Sequence, residues 1–145
     1  MEIRDIEGEN RSVDAGGLLQ EDSEEVLNKR LFARLDEAVE KEKLYARHDL
    51  RREMLCAVIG VDRNRIATVI RTQSGTANLS DYINRKRIRY AVELMRQNKN
   101  WTIDAICETC GMNGTSFKRY FKNIYGMPPS EYRKILDQHG QPDLE

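Results

Sequence analysis

Two short stretches of the chain place basic and hydrogen-bonding side chains along one side of a helical repeat, opposite an apolar side. The first stretch offers Arg63, Asn64, Ala67, Thr68 and Arg71, and the second offers Thr115, Ser116, Lys118, Arg119 and Lys122. Arginine and lysine neutralise phosphates, arginine also pairs with both acceptors of a guanine, and asparagine does the same with adenine. The residue types therefore predict contacts with double-stranded DNA.

The two stretches belong to an internal duplication with an offset of 51 residues, which is visible in the sequence alone. Residues of similar character recur in the same order in both copies. The pairs are Leu55 and Ile106, Cys56 and Cys107, Ile59 and Cys110, Gly60 and Gly111, Val61 and Met112, Asp62 and Asn113, Ile66 and Phe117, Ile70 and Phe121, and Gly75 and Gly126. Both copies are therefore expected to share one local structure.

Each copy has the pattern of a helix-turn-helix unit. A short helix ends at a glycine, Gly60 or Gly111, because glycine readily adopts the left-handed conformation that closes a helix. Asp62 or Asn113 then caps the next helix by accepting a free backbone N–H. In a helix-turn-helix, this second helix enters the major groove of DNA.

The rest of the chain predicts more helices and no strands. Apolar residues at helical spacing indicate a first helix over about 25–45, a connecting helix over about 78–97 and a final helix over about 129–138. The helix-turn-helix units span about 49–73 and 102–125. The predicted fold is all-α and homeodomain-like, with about seven helices in one DNA-binding domain over residues 25–138.

The charge is segregated, although the whole chain has a formal net charge of zero. Residues 1–28 hold nine acidic residues and two arginines, a net charge of −7, which leaves +7 for the remainder. This predicts an acidic, flexible tail or linker over residues 1–24, followed by a basic domain with an anionic partner. Within the connecting helix, Arg85 is a candidate phosphate contact, whereas Arg87 is expected to bond to backbone carbonyls of neighbouring helices.

No residue pattern predicts an enzyme, a metal site or a cofactor. Cys107 and Cys110 form a C-x-x-C, but there is no second C-x-x-C, and they align with Cys56 and Ile59 of the first copy. They are interpreted as buried apolar residues, with free thiols. No apolar run approaches the ~18 residues that cross a bilayer, and the acidic start is unlike a signal peptide. A cytoplasmic location is expected.

Over about residues 44–136, the chain resembles the DNA-binding domain of the AraC family of bacterial transcription regulators. The residues that carry the resemblance are Arg87, Ile88, Ala91, Leu94, Met95, Ile103, Ile106, Cys107, Gly111, Met112, Phe117, Phe121, Lys122, Gly126, Pro129, Tyr132 and Arg133. Cys107, Met112 and Pro128 depart from the alanine, phenylalanine and threonine that are common in the family.

The resemblance implies two helix-turn-helix units joined by a rigid helix, with two recognition helices in successive major-groove segments. It implies base contacts mainly from Asn64, Ala67, Thr68, Thr115, Ser116, Lys118 and Arg119, with Ala67 limited to the methyl group of thymine. It also implies RNA polymerase as a partner and an upstream sensory or dimerising domain that this chain lacks. The segment over 25–49 is most similar to Bacteroidetes regulators, in which the upstream part can be a membrane-spanning sensor.

Two other hypotheses remain at this stage. The helical scaffold could be a protein-interaction module with no intrinsic DNA specificity, with the acidic tail covering the basic face. Alternatively, Cys107 and Cys110 could serve a thiol enzyme or a zinc domain. Sequence-specific binding of double-stranded DNA is favoured because two matching basic helices each follow a glycine turn.

Overall fold

The computed structural model of the protein describes residues 16–139, with side chains described for residues 23–138. Within this range the chain forms seven α-helices, one short 3₁₀ turn and no strand. The elements are α1 (Gly16–Lys41), the 3₁₀ turn Leu44–Ala46, α2 (Arg52–Ile59), α3 (Arg63–Gln73), α4 (Leu79–Gln97), α5 (Ile103–Thr109), α6 (Gly114–Tyr125) and α7 (Pro129–His139). The predicted all-α fold with two helix-turn-helix units is confirmed. None of the helices in this range is long and apolar enough to cross a membrane.

Helix α4 connects two separate hydrophobic cores. Its first half contributes Leu79, Tyr82 and Ile83 to a core that also contains residues from α1, α2 and α3. Its second half contributes Ile88, Ala91, Val92, Leu94 and Met95 to a core shared with α5, α6 and α7. Because each helix-turn-helix unit packs on a different half of α4, this helix sets the distance between the two units.

Helix α1 begins earlier than the sequence pattern predicts. Its apolar repeat starts near residue 25, but the backbone is helical from Gly16, so residues 16–24 belong to the helix. Once the packed half of a helix has formed, extending it adds one hydrogen bond for each residue fixed and needs no new nucleus. Residues 1–15 of the predicted tail lie outside the described residues.

Helix α1 also ends earlier than the predicted boundary near residue 45. Lys43 adopts a left-handed backbone conformation with φ of 51°, which ends the helical hydrogen bonding after α1. Leu44–Ala46 then forms a separate 3₁₀ turn, in which Tyr45 is buried. The chain therefore changes direction before the first helix-turn-helix unit begins.

A polar cluster joins α1 to α4 at the edge of the first core. Lys86 is almost fully buried, and its ammonium lies 2.9 Å from a carboxylate oxygen of Asp36 and also contacts Glu40. The Tyr82 hydroxyl donates a hydrogen bond to Asp36. Burial alone would raise the pKa of Asp36, but the hydrogen bonds from Tyr82 and Lys86 lower it overall. The cluster thus stabilises the ionised carboxylate.

Replacing Asp36 with asparagine is expected to lower the free energy of unfolding at neutral pH by about 1 kcal/mol. This lies at the low end for a charge-assisted hydrogen bond because Asp36 is partly exposed. The pKa of Asp36 is lower in the folded protein than in the unfolded chain. The stabilisation from Asp36 is therefore present above the unfolded-state pKa and is lost as the pH falls through the folded-state pKa. Urea denaturation of wild type and Asp36→Asn should therefore differ at pH 7 and converge only when the pH falls below the lowered folded pKa of Asp36, which lies under the ordinary value of about 3.9 for an aspartate. Glu37→Gln, on the exposed side of α1, is the control and should follow wild type at both pH values.

Candidate nucleic-acid interface

The two turns that position the candidate reading helices are closed by glycine and capped by a short polar side chain. Gly60 and Gly111 have φ of 69° and 90°, in the left-handed region that glycine tolerates. The Asp62 carboxylate accepts a hydrogen bond of 2.8 Å from the Arg65 backbone N–H, at the start of α3. The Asn113 side chain accepts one of 2.9 Å from the Ser116 backbone N–H, at the start of α6. Both features agree with the duplication in the sequence.

Helix α3 has one buried side and one open side. Ile66, Val69 and Ile70 are fully buried against the core that contains α1. On the other side, Arg63, Asn64 and Arg71 are exposed, and Ala67 and Thr68 are half-buried. The five candidate residues of the first unit therefore share the face of α3 that points away from α1.

The Thr68 hydroxyl is already engaged within its own helix. It donates a hydrogen bond of 3.2 Å to the backbone carbonyl of Asn64. A hydroxyl in this arrangement still has acceptor lone pairs for an outside partner. Thr68 is therefore better suited to accept a hydrogen bond from a base than to donate one.

Helix α6 repeats the arrangement in the second unit. Phe117 and Phe121 are fully buried, and their rings lie 5.7 Å apart. The open side carries exposed Thr115, Lys118, Arg119 and Lys122, with Ser116 half-buried. All ten candidate residues are thus on the open sides of two equivalent helices, five in each unit.

Several cations at or near these faces differ in their partners. Arg85 pairs with Asp81 one turn earlier, at 3.1 Å, and Arg65 pairs with Glu24 of α1 at 3.0 Å. By contrast, no described carboxylate lies within ion-pair distance of the exposed cations of α3 and α6, which are Arg63, Arg71, Lys118, Arg119 and Lys122. These five side chains are the part of the described surface that is best placed to meet phosphates.

Arg119 lies close to an aromatic ring and lines a groove between α6 and α4. Its guanidinium lies 5.9 Å from the centre of the Tyr120 ring. Arg119, Tyr120 and Asn123 line one side of a groove of about 400 Å³, and Asp81 and Arg85 of α4 line the other. Stacking on an aromatic ring restricts the guanidinium without consuming its N–H donors, which stay available for a base edge.

Two arginines outside the reading helices, Arg87 and Arg133, have structural contacts. As predicted, Arg87 donates to backbone carbonyls of a neighbouring segment, those of Tyr45 and Arg47. Arg133 of α7 makes similar contacts, since it donates to the carbonyls of Trp101 and Asn98 between α4 and α5. This role was not predicted from the sequence. The carbonyls that Arg133 contacts lie in a loop, and the spacing of side chains in the sequence does not indicate where loop carbonyls lie.

The cysteines of the C-x-x-C are buried and hydrogen-bonded to the backbone. The thiol of Cys107 lies 3.2 Å from the Met112 carbonyl, and that of Cys110 lies 3.2 Å from the Cys107 carbonyl. Burial raises the pKa of Cys107, and raises the pKa of Cys110 to about 12. Because the thiolate is the reactive and metal-binding form, these values disfavour the thiol-enzyme and zinc hypotheses.

Comparison with known proteins agrees with the fold and the turn geometry. A family model described as a helix-turn-helix domain matches residues 55–135, more than half of the chain. The C-terminal domain of AraT, a response regulator from Geobacillus stearothermophilus, is 22% identical, with a TM-score of 0.63 over 72% of this chain and 84% of that one. A protein of unknown function from Listeria innocua is 26% identical, with a TM-score of 0.54 over 63% of this chain and 85% of that one. No curated protein sequence matches the chain significantly.

The fold and the family match define a helix-turn-helix DNA-binding domain of a transcription regulator. The chain belongs to the AraC-type helix-turn-helix family.

Proposed function

We propose that this domain binds double-stranded DNA in a sequence-specific way, with α3 and α6 reading successive segments of the major groove. The observation that carries the proposal is the equivalence of the two helices. Each follows a glycine turn, begins at a capped residue, buries an apolar side and carries five candidate residues on its open side, all of them polar or basic except Ala67. A single basic helix is common on protein surfaces, whereas a matched pair on one connecting helix is typical of a two-part DNA reader.

The candidate residues divide by chemistry. Arg119 and Asn64 have the donor and acceptor geometry to pair with two atoms of a single base. Thr68, Thr115 and Ser116 offer single hydrogen bonds, and Ala67 offers contact with a thymine methyl group. The longer cations Arg63, Arg71, Lys118 and Lys122 are assigned to phosphates or guanine edges along the groove.

The setting of the domain follows from the family. We propose that residues 25–138 form the DNA-binding unit of a bacterial regulator, which acts in the cytoplasm together with RNA polymerase. An upstream sensory or dimerising domain supplies the signal. Helix α1 begins at Gly16, before this unit, so the upstream part is expected to continue into a helix rather than into a flexible tail.

The position of Glu24, the one acidic residue of the predicted tail whose side chain is described, bears on the competing protein-interaction hypothesis. In that hypothesis the acidic lead-in covers the basic face. The described part of α1 instead packs on the apolar side of α3, and Glu24 bonds Arg65 at the flank of the helix. The open sides of α3 and α6 are therefore left uncovered by the part of α1 whose side chains are described.

The proposal is tested by measuring duplex affinity against salt concentration, for an operator sequence obtained by selection and for a scrambled duplex. Each phosphate neutralised adds about −0.9 to the slope of log affinity against log salt. Lys122→Ala should make that slope shallower by about 1 for both duplexes, with the preference for the operator unchanged. Lys41→Ala, at the end of α1, is the matched control and should leave slope and affinity unchanged. Equal affinity of the wild type for both duplexes would favour the protein-interaction module instead.

A further inference from the structure

A short segment ahead of the first helix-turn-helix unit lies in the seam between the two units. This segment, residues 44–48, contains the 3₁₀ turn Leu44–Ala46 and is called the lead-in turn below. No helix of the first unit packs extensively against a helix of the second in the described part of the chain. The first unit packs on α1 and, through α3, on α4, and the second unit packs on α4. The lead-in turn is therefore in a position to supply contacts that the two units do not make directly.

On one side the lead-in turn is bound to α4. Arg87 reaches it with two donors, Nε to the carbonyl of Tyr45 and Nη2 to the carbonyl of Arg47, the latter at 3.0 Å. The buried ring of Tyr45 packs edge-on against Tyr90, with the ring centres 5.6 Å apart. Tyr90 borders both hydrophobic cores. The turn is thus fixed at the middle of α4, where the two cores meet.

On the other side the lead-in turn contacts the second unit. The His48 ring donates from Nε2 to the carbonyl of Glu108 at the end of α5, at 2.7 Å. The backbone of Ala46 comes so close to Gly111 that a Cβ built on this glycine would lie 2.7 Å from the Ala46 carbonyl oxygen. Backbone atoms held from both sides cannot move aside as a flexible side chain can.

This close approach distinguishes the two halves of the duplication. Gly60 is the counterpart of Gly111 in the first unit, and it too has a positive φ, yet a Cβ at Gly60 would meet nothing within 4 Å. The turn conformation alone explains a glycine at both positions. Only at Gly111 does the absence of a side chain also make room for another segment.

We propose that the lead-in turn is a second connection between the units and fixes the spacing at which the two reading helices meet DNA. This inference rests on the proposed function and makes Gly111 and His48 positioning residues, with no contact to DNA of their own. One base pair of added spacing moves a half-site by about 3.4 Å and rotates it by about one tenth of a turn. Two units held by α4 alone would tolerate such shifts better than two units also joined through the lead-in turn.

The test uses duplexes in which the two selected half-sites are moved apart or together in steps of one base pair. Wild type should show one preferred spacing. Gly111→Ala should weaken the preference for that spacing by about tenfold, because the added methyl group must displace Ala46. Gly60→Ala carries the same kind of backbone strain without the close approach, so it should keep the wild-type spacing preference. A uniform affinity loss for Gly111→Ala, with the preference intact, would overturn the proposal.

His48→Ala provides a milder variant in case Gly111→Ala does not fold. Because His48 is exposed, its loss removes one hydrogen bond and leaves the core intact. The spacing preference should fall by about threefold to fivefold. An unchanged spacing profile for this variant would also contradict the proposal.

A measurement without DNA separates this inference from the proposed function. Spin labels at Glu53→Cys on α2 and Glu131→Cys on α7 report the distance between the units, and both sites are exposed, whereas the native cysteines are buried. The distribution of distances should broaden in Gly111→Ala and His48→Ala, but not in Gly60→Ala. Unchanged distributions in all three variants would overturn the role of the lead-in turn, even if sequence-specific DNA binding holds. If the distance distributions broaden in Gly111→Ala and His48→Ala but the wild type binds DNA without sequence preference, the role of the lead-in turn is supported and the proposed function is refuted.

Discussion

Replacing Phe117 with alanine is expected to lower the free energy of unfolding by about 3–5 kcal/mol. Phe117 is fully buried in the second core, where its ring lies against that of Phe121. The substitution removes a large apolar surface and leaves a cavity that the surrounding helices can fill only in part. Urea denaturation followed by circular dichroism measures the effect.

Trp101 provides the matched control for this loss. It is a large aromatic residue in the loop between α4 and α5, and 38% of its surface is exposed. Its backbone carbonyl, which accepts from Arg133, survives the substitution. Trp101→Ala should therefore cost less than Phe117→Ala, because it removes less buried surface and leaves no enclosed cavity. If the two variants were equally destabilised, the packing described for the second core would be wrong.

Replacing Arg119 with alanine is expected to reduce affinity for the operator by about 5-fold to 150-fold, with a much smaller loss on scrambled DNA. The loss corresponds to about 1–3 kcal/mol for a side chain that pairs with two atoms of one base. The Arg119 guanidinium lies near the Tyr120 ring, and this contact lowers the entropy that Arg119 loses on binding. Fluorescence anisotropy with both duplexes measures the ratio of affinities.

Arg34→Ala is the control for charge alone. Arg34 is exposed on α1, which packs behind α3, so its removal changes the net charge without touching the proposed interface. Its operator affinity should match that of wild type. An equal affinity loss for Arg119→Ala on operator and scrambled DNA would show that Arg119 contacts a phosphate and reads no base.

The parts of the fold that were predicted from sequence are those with a repeated side-chain signal. Ile66 and Ile70 recur as Phe117 and Phe121, so both the burial of these positions and the exposure of the opposite faces followed from spacing. The capping roles of Asp62 and Asn113 followed because each stands directly after a glycine turn. Helix faces and helix caps depend on residues that are close together in the chain, so the sequence alone indicates them.

The features that sequence missed depend on contacts between distant segments. Lys86 lies in a basic run, yet it is buried because Asp36 and Glu40, more than forty residues earlier, provide its counter-charges. The start of α1 at Gly16 reflects extension of an already packed helix into a stretch with few apolar residues. Likewise, the duplication assigns Gly60 and Gly111 the same role, and only the fold shows that Ala46 approaches one of them.

The most direct test of the central claim is selection of bound duplexes from a random pool by the full 145-residue chain at near-physiological salt. We expect enrichment of a motif with two short blocks about 10 base pairs apart, one for each reading helix. A single enriched block would show that only one helix-turn-helix unit reads bases. Recovery of unenriched DNA, held only by salt-sensitive contacts, would contradict sequence-specific recognition by this domain.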